Sequence, residues 1–270
     1  MTSFGPFSLR VAIAAAAVLL AWIAANLLSR RRALAESTGI GGPLLDAVLA
    51  GLLAARLGYV LRWWPEYAAA PASIIAIGDG GFAWWSGLPV ALATAWWRSR
   101  RAPVPRGPVI AGLLIGAAGW WVAASSLDAH QRDSIPLPAL SLHARDGALV
   151  RIPDADPRPI VINLWATWCP PCRREMPMFA SAGTRWPQVR FLLVNQGDPP
   201  ELVEDYLRRS GLETPDVLLD SESGTMQATG ARVLPTTLFY DSRGVLRDLH
   251  VGELTAAALA DRLQRHFGVE

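Results

Sequence analysis

The sequence predicts two regions of different fold class. Residues 1–127 read as an all-α transmembrane region of about four helices, and residues 138–270 as an α/β domain built on a central mixed sheet, with a linker at 128–137. Three observations carry this division. Four apolar runs crowd the first half and none recurs in the second. The charge changes sign: residues 1–127 hold ten Arg against four acids, residues 128–270 fifteen Arg against nineteen. From residue 139 onward, short β-branched runs alternate with helical patterns, as in sheets flanked by helices. The net charge of +2 therefore gives no nucleic-acid signal, because the positive charge sits in clusters that flank apolar runs. Such clusters set topology in a membrane.

The first run, 9–29, has the length of about 20 residues that a bilayer core requires. A cleaved signal peptide is the rival reading, since Ala33-Leu34-Ala35 resembles a cleavage site. Against it, the apolar core is long and Arg30, Arg31 and Arg32 follow it where a signal peptide has them in front. The second run, 44–64, contains Asp46, Arg56 and Arg62. A third, 71–97, is broken by Gly78-Asp79-Gly80-Gly81, and the fourth, 109–127, is free of charge. The clusters Arg30–Arg32 and Arg98, Arg100, Arg101, Arg106 are expected on the cytoplasmic side. That parity sends both the N-terminus and the C-terminal domain outward. Nine of the twelve Trp lie in this half, mostly as pairs near run ends, where interfacial anchoring accounts for them.

In the second half, residues 139–152 read as a hairpin turning at Asp146-Gly147, and 159–165 as a buried strand. A helix opens at the cysteines and runs to about Ser181. A second buried strand covers 189–195, and Pro199-Pro200 start a helix that Gly211 ends. Residues 216–220 form a short segment followed by a helical turn to Gly230. Residues 236–241 and 245–252 pair as a hairpin, and an amphipathic helix covers 255–267.

Chemistry concentrates at Cys169 and Cys172, the only cysteines of the chain, in the stretch NLWATWCPPCRREMP. A structural disulfide over so short a loop would stabilise little, because the effect grows with loop length. A zinc site needs further ligands, and His130, His143, His250 and His266 are scattered without ligand spacing. A redox dithiol fits the strand-to-helix position. Unpaired N–H groups and the helix dipole stabilise a thiolate there. On this reading Cys169 is the exposed attacking thiol and Cys172, more buried, the resolving one. Pro170 and Pro171 occupy first-turn positions where a missing N–H costs little. Pro235, in Leu234-Pro235-Thr236-Thr237, precedes a strand of the last hairpin. Pairing in space with the cysteines suggests a cis peptide, whereas locally it reads as an ordinary strand-initiating proline.

These two motifs resemble the TlpA/ResA type of membrane-tethered, thioredoxin-fold thiol–disulfide oxidoreductases, over roughly residues 138–267. The resemblance implies a thioredoxin-like domain in which Cys169 and Cys172 form a redox-active disulfide and Pro235 is cis, packed against it. It implies that Trp168, Pro170, Pro171, Leu234 and Thr236 line the substrate surface. It also implies a role for Glu175: the buried acid of cytoplasmic thioredoxins is replaced here by Asn163, which leaves Glu175 as the carboxylate able to shuttle a proton for Cys172. The competing reading of Glu175 is a solvated helix residue paired with a nearby Arg. No cofactor and no metal is expected.

Residues 44–88 resemble the N-terminal part of prolipoprotein diacylglyceryl transferase, through Arg56, Tyr59 and Asp79-Gly80-Gly81. Trp85 stands where that family has a histidine, and its later spans have no counterpart before the C-terminal domain begins. Arg56, a charge within an apolar run, pairs with Asp79 or a lipid head group on this reading, or else the half serves as a multi-span anchor. Together the resemblances imply an oxidoreductase of the bacterial inner membrane with its C-terminal domain in the periplasm. Its implied partners are disulfide-containing exported proteins, among them apocytochrome c or copper-site assembly proteins, and the lipid bilayer. The membrane half has no cysteine, so electrons must come from a separate periplasm-facing thiol reductant. The alternative is a lipid- or lipoprotein-handling membrane module carrying a redox domain.

Overall fold

In a computed structural model, the described residues are 3–4, 7–31, 40–101, 106–154, 156–212, 214 and 217–269. Arg32, Ala33-Leu34-Ala35 and Asp216, used in the readings above, lie outside them. The chain folds as two compact units, residues 1–74 with 80–127, and residues 75–79 with 128–270.

The first unit contains α1 (Leu9–Arg31), α2 (Gly41–Arg62), α3 (Trp64–Ala69) and α4 (Trp84–Arg101), and its last helix, α5 (Arg106–Ser134), continues past its boundary. Three stretches are long and apolar enough to cross a membrane: Ala12–Ser29, Gly41–Arg62 and Arg106–Leu127. The third apolar run of the sequence departs from expectation. Its first part forms two 3₁₀ turns, Pro71–Ile75 and Ile77–Asp79, and a helix resumes only at Trp84. Gly80, at φ 75°, supplies the left-handed backbone of the break. The helix after it carries Pro89 and ends in Arg98, Arg100 and Arg101, so α4 is not among the three.

Small residues let α4 lie close along α2. A Cβ on Gly87 would sit 2.7 Å from both the Gly51 carbonyl oxygen and Ala55 Cβ, and one on Gly51 would sit 2.8 Å from Ala91 Cβ. This small-residue stripe is how helices approach where apolar side chains gain little from burial. Asp46, the acid of the second apolar run, meets Arg98 across this pair at 2.5 Å. Arg56 also finds protein partners. Its guanidinium donates to the carbonyls of Ile74 (2.9 Å), Gly81 (2.9 Å) and Ser73 (3.3 Å) and stands over the Tyr67 ring. A mid-helix charge is thus spent on the carbonyls of a non-helical segment, which a buried backbone needs satisfied.

The second unit is a seven-stranded sheet of β1 (Leu140–Ala144), β2 (Leu149–Ile152), β3 (Ile160–Trp165), β4 (Arg190–Gln196), β5 (Val217–Asp220), β6 (Thr236–Tyr240) and β7 (Leu246–Val251). The spatial order is β2-β1-β5-β4-β3-β6-β7. The pairs β3–β4 and β4–β5 are parallel; the remaining pairs are antiparallel. Interspersed are α6 (Pro170–Arg185), α7 (Pro200–Ser210), α8 (Gly224–Thr229) and α9 (Ala256–Phe267). This is the mixed sheet with helices that the sequence predicts. Helix α5 continues through Ser134, so the first part of the polar stretch read as a linker is helical. The β-branched run Ile160-Val161-Ile162 leads into β3, buried along its whole length, as a central strand with parallel and antiparallel neighbours must be. One apolar cluster joins Ile160, Ile162 and Leu164 of β3 to Leu192, Val194, Leu218 and Leu238.

Candidate active site

Strand β3 delivers the cysteines. It ends at Trp165, and Ala166–Trp168 turn the chain into α6, whose N-cap is Cys169. Cys169 and Cys172 are joined in a disulfide with Cα atoms 5.3 Å apart. The Cys172 N–H, one of the donors a helix start leaves without an intrahelical partner, donates to Cys169 Sγ at 3.3 Å. Cys172 is fully buried, but Cys169 is only 3 % exposed, against the exposed thiol that the sequence predicts. Its sulfur is bonded to buried Cys172 and faces that N–H. Exposure falls instead on Trp168, at 68 %, and on Pro170.

The turn ahead of Cys169 is held by a residue that the sequence reading passed over. Asp198, buried in the loop after β4, accepts from the Thr167 N–H (2.7 Å) and from Asn195 Nδ2 (2.9 Å), both on one oxygen. The only sequence signal was an acid directly before Pro199-Pro200, which reads as helix-start chemistry. Removing the acceptor strands two buried donors. Asp198→Ala is therefore expected to cost about 1–3 kcal/mol in denaturant unfolding, whereas Asp198→Asn, which keeps an acceptor oxygen, costs less.

Glu175 lies one helical turn beyond Cys172, on the buried face of α6. Its Oε1 accepts from Asn163 Nδ2 at 2.7 Å and its Oε2 from the Leu254 N–H at 3.0 Å. Burial raises its pKa to about 8, against the pull of those two hydrogen bonds. Glu175 is thus not the solvated, Arg-paired residue of the competing reading. The neighbouring Arg174 goes to Glu253 instead, at 2.6 Å. Asn163 also donates to Thr237 Oγ1 at 3.1 Å, and its Oδ1 has no hydrogen-bond partner among the described residues. Its amide thus donates to a carboxylate as it stands, and turned over it presents an oxygen able to accept from the protonated acid.

The Leu234–Pro235 peptide bond is cis, and so is Ile152–Pro153, which nothing in the sequence reading anticipated. Register places Pro235 at the active-site end of the sheet: Thr236 faces Leu164, the residue before Trp165, and the Pro235 carbonyl accepts from Gly252 N–H at 2.9 Å. Pro235 and Thr236 are buried, Leu234 and Pro171 partly so. The loop after β7 links the two features, since Gly252 meets Pro235 and Leu254 meets Glu175.

This arrangement has relatives. The AhpC/TSA family model matches residues 135–249. Over those residues the C-terminal domain is similar to the AhpC/TSA family, whose members are thioredoxin-like. Thiol–disulfide oxidoreductase ResA of Geobacillus thermodenitrificans is 29 % identical over 160 residues, covering 58 % of this chain and 91 % of that protein. Sporulation thiol–disulfide oxidoreductase A of Bacillus subtilis is 27 % identical over 154 residues, 55 % of this chain and 91 % of that one. Among solved structures, StoA from Bacillus subtilis is 25 % identical with a TM-score of 0.42, covering 48 % of this chain and 98 % of that one. In reaction class the C-terminal domain, with its Cys169–Cys172 pair, is a thiol–disulfide oxidoreductase. The prolipoprotein diacylglyceryl transferase family model matches residues 1–119, in support of a membrane half.

Proposed function

We propose that the chain is a membrane-anchored reductase of disulfides in exported proteins, with a transmembrane region over 1–127 and the redox domain over 138–270 in the periplasm. The observation that carries the reading is a disulfide at the N-terminus of α6 with a buried carboxyl group one turn away, whose pKa burial raises to about 8. In the reduced state the Cys169 thiolate attacks one sulfur of a substrate disulfide. A mixed disulfide forms and a substrate thiolate leaves. Glu175, in its ionised form, then takes the proton of Cys172, whose thiolate attacks Cys169 Sγ and releases the second substrate thiolate. Two electrons pass from the dithiol to the substrate, and the two released thiolates take up two protons. Trp168, Pro170, Pro171, Leu234 and Thr236 form the surface that receives the substrate backbone beside Pro235. A separate periplasm-facing dithiol reductant restores the pair, because the membrane half has no thiol to offer.

Anchoring is supported by the three long apolar helices and by the match of residues 1–119. The parity that puts the domain outside needs a fourth crossing, which this reading assigns to α4: it is less apolar than the other three and lies close along α2. Substrates of apocytochrome c or copper-assembly type follow from the TlpA/ResA resemblance. The test is capture: Cys172→Ser leaves the mixed disulfide unresolved, so exported proteins with disulfides should accumulate on Cys169 and be released by reductant. Capture of cytosolic proteins alone would overturn the periplasmic placement. The family match of the membrane half favours a second reading, a lipid-handling module carrying a redox domain. Phospholipid that co-purifies with the wild type but not with Arg56→Gln would support it, although the backbone carbonyls around Arg56 already give that residue a structural task.

A further inference from the structure

We propose that a groove beside the disulfide docks an anionic polypeptide segment of the redox partner, with Arg173 as the cation that reads its carboxylate; this rests on reading Cys169 and Cys172 as the exchange centre. Helix α6 has two faces. Cys172, Glu175, Met176 and Phe179 are buried. Pro170, Arg173, Arg174 and Pro177, spaced i, i+3, i+4 and i+7, share another face. Together with Tyr206, Ser210 and Leu212 they line a groove of about 400 Å³. The groove is backed by the core, since the Tyr206 ring rests on buried Trp165 at 5.5 Å between centroids.

The charge of the groove runs against that of its surroundings. Residues 128–270 carry nineteen acids against fifteen Arg, yet none of the seven lining residues is acidic. Arg174 is engaged by Glu253. Arg173 is exposed, stands 5.6 Å from the Tyr206 ring centroid, and forms no ion pair with a carboxylate among the described residues. A guanidinium held over an aromatic ring is positioned before its ligand arrives, which lowers the cost of binding a carboxylate.

Place identifies the occupant. Arg173 follows Cys172 directly, and Pro170 follows Cys169. A polypeptide whose cysteine is bonded to Cys169 must lay its neighbouring residues over these positions. The groove therefore selects partners with Asp or Glu a few residues from the reacting cysteine, next to an apolar residue for Tyr206 and Leu212.

The test uses the full chain, reduced and in detergent micelles, with two disulfide peptides that differ only by Glu or Gln three residues from the reacting cysteine. For the wild type the Glu peptide should show a KM lower by about threefold, with little change in kcat, as expected for one exposed ion pair. Arg173→Gln should erase the preference and Arg173→Glu should reverse it. An equal KM for the two peptides with the wild type, or a preference that persists in Arg173→Glu, overturns the proposal. A wild type that reduces neither peptide nor hydroxyethyl disulfide overturns the redox reading itself, and the groove's role with it.

Discussion

Cys169→Ser is expected to reduce disulfide exchange to the uncatalysed level, and Cys172→Ser to stall it after one turnover as a mixed disulfide. The reason is chemical asymmetry within a symmetric-looking pair. The thiolate is the nucleophile, and Cys169 is the N-cap of α6, its sulfur accepting from the Cys172 N–H at 3.3 Å. An anion is favoured at that position. Cys172 is fully buried and reaches only a sulfur already brought to Cys169. Reduction of hydroxyethyl disulfide followed by thiol titration checks both variants. If Cys169→Ser retains activity while Cys172→Ser loses it, the two roles are reversed.

Glu175→Gln should have two separable effects. On catalysis, loss of the proton acceptor should slow resolution by about a hundredfold near neutral pH and remove the rise in rate expected of the wild type as pH approaches the Glu175 pKa of about 8. On stability, the sign follows from the direction of the shift. The folded-state pKa lies above the ordinary value of 4.5. The contribution of Glu175 is therefore fully present below about pH 4.5, where both states hold the proton. It is lost as pH rises toward 8, where only the unfolded chain has ionised. The variant has no such loss, so its advantage over the wild type should grow across that window to the order of a few kcal/mol. Chemical denaturation at pH 5 and pH 8 measures it. Parallel pH profiles for variant and wild type would remove Glu175 from both accounts.

Where the sequence was legible, a local rule coincided with a tertiary need. Gly211 ends α7 with φ 63°, and Gly230 ends α8 with φ 68°, as expected of C-terminal glycines. The β-branched run of β3 reads as buried because it is buried on both sides. Legibility failed where partners are far apart in the chain. Nothing near Asp198 reveals that it answers Thr167, 31 residues away. The groove pairs α6 with α7 residues that look like ordinary solvated helix positions. At residues 71–97 the apolar content hides how the backbone is divided: two 3₁₀ turns and a glycine break come first, and only α4, with Pro89 inside it, is a long helix. The covered state of Cys169 was illegible for another reason: helix-start rules describe a free thiolate, whereas here the sulfur is bonded to buried Cys172.

The position of β3 between β4 and β6 has a consequence for how the enzyme fails. Both edges of the strand are hydrogen-bonded and all six residues are buried, so its amides belong to the portion of a fold that opens only with the whole molecule. The reactive turn grows directly out of that strand. Heating should therefore not silence the dithiol early through local fraying. Activity and global structure should be lost in one transition, which makes exchange activity itself a measure of how much of the domain is intact.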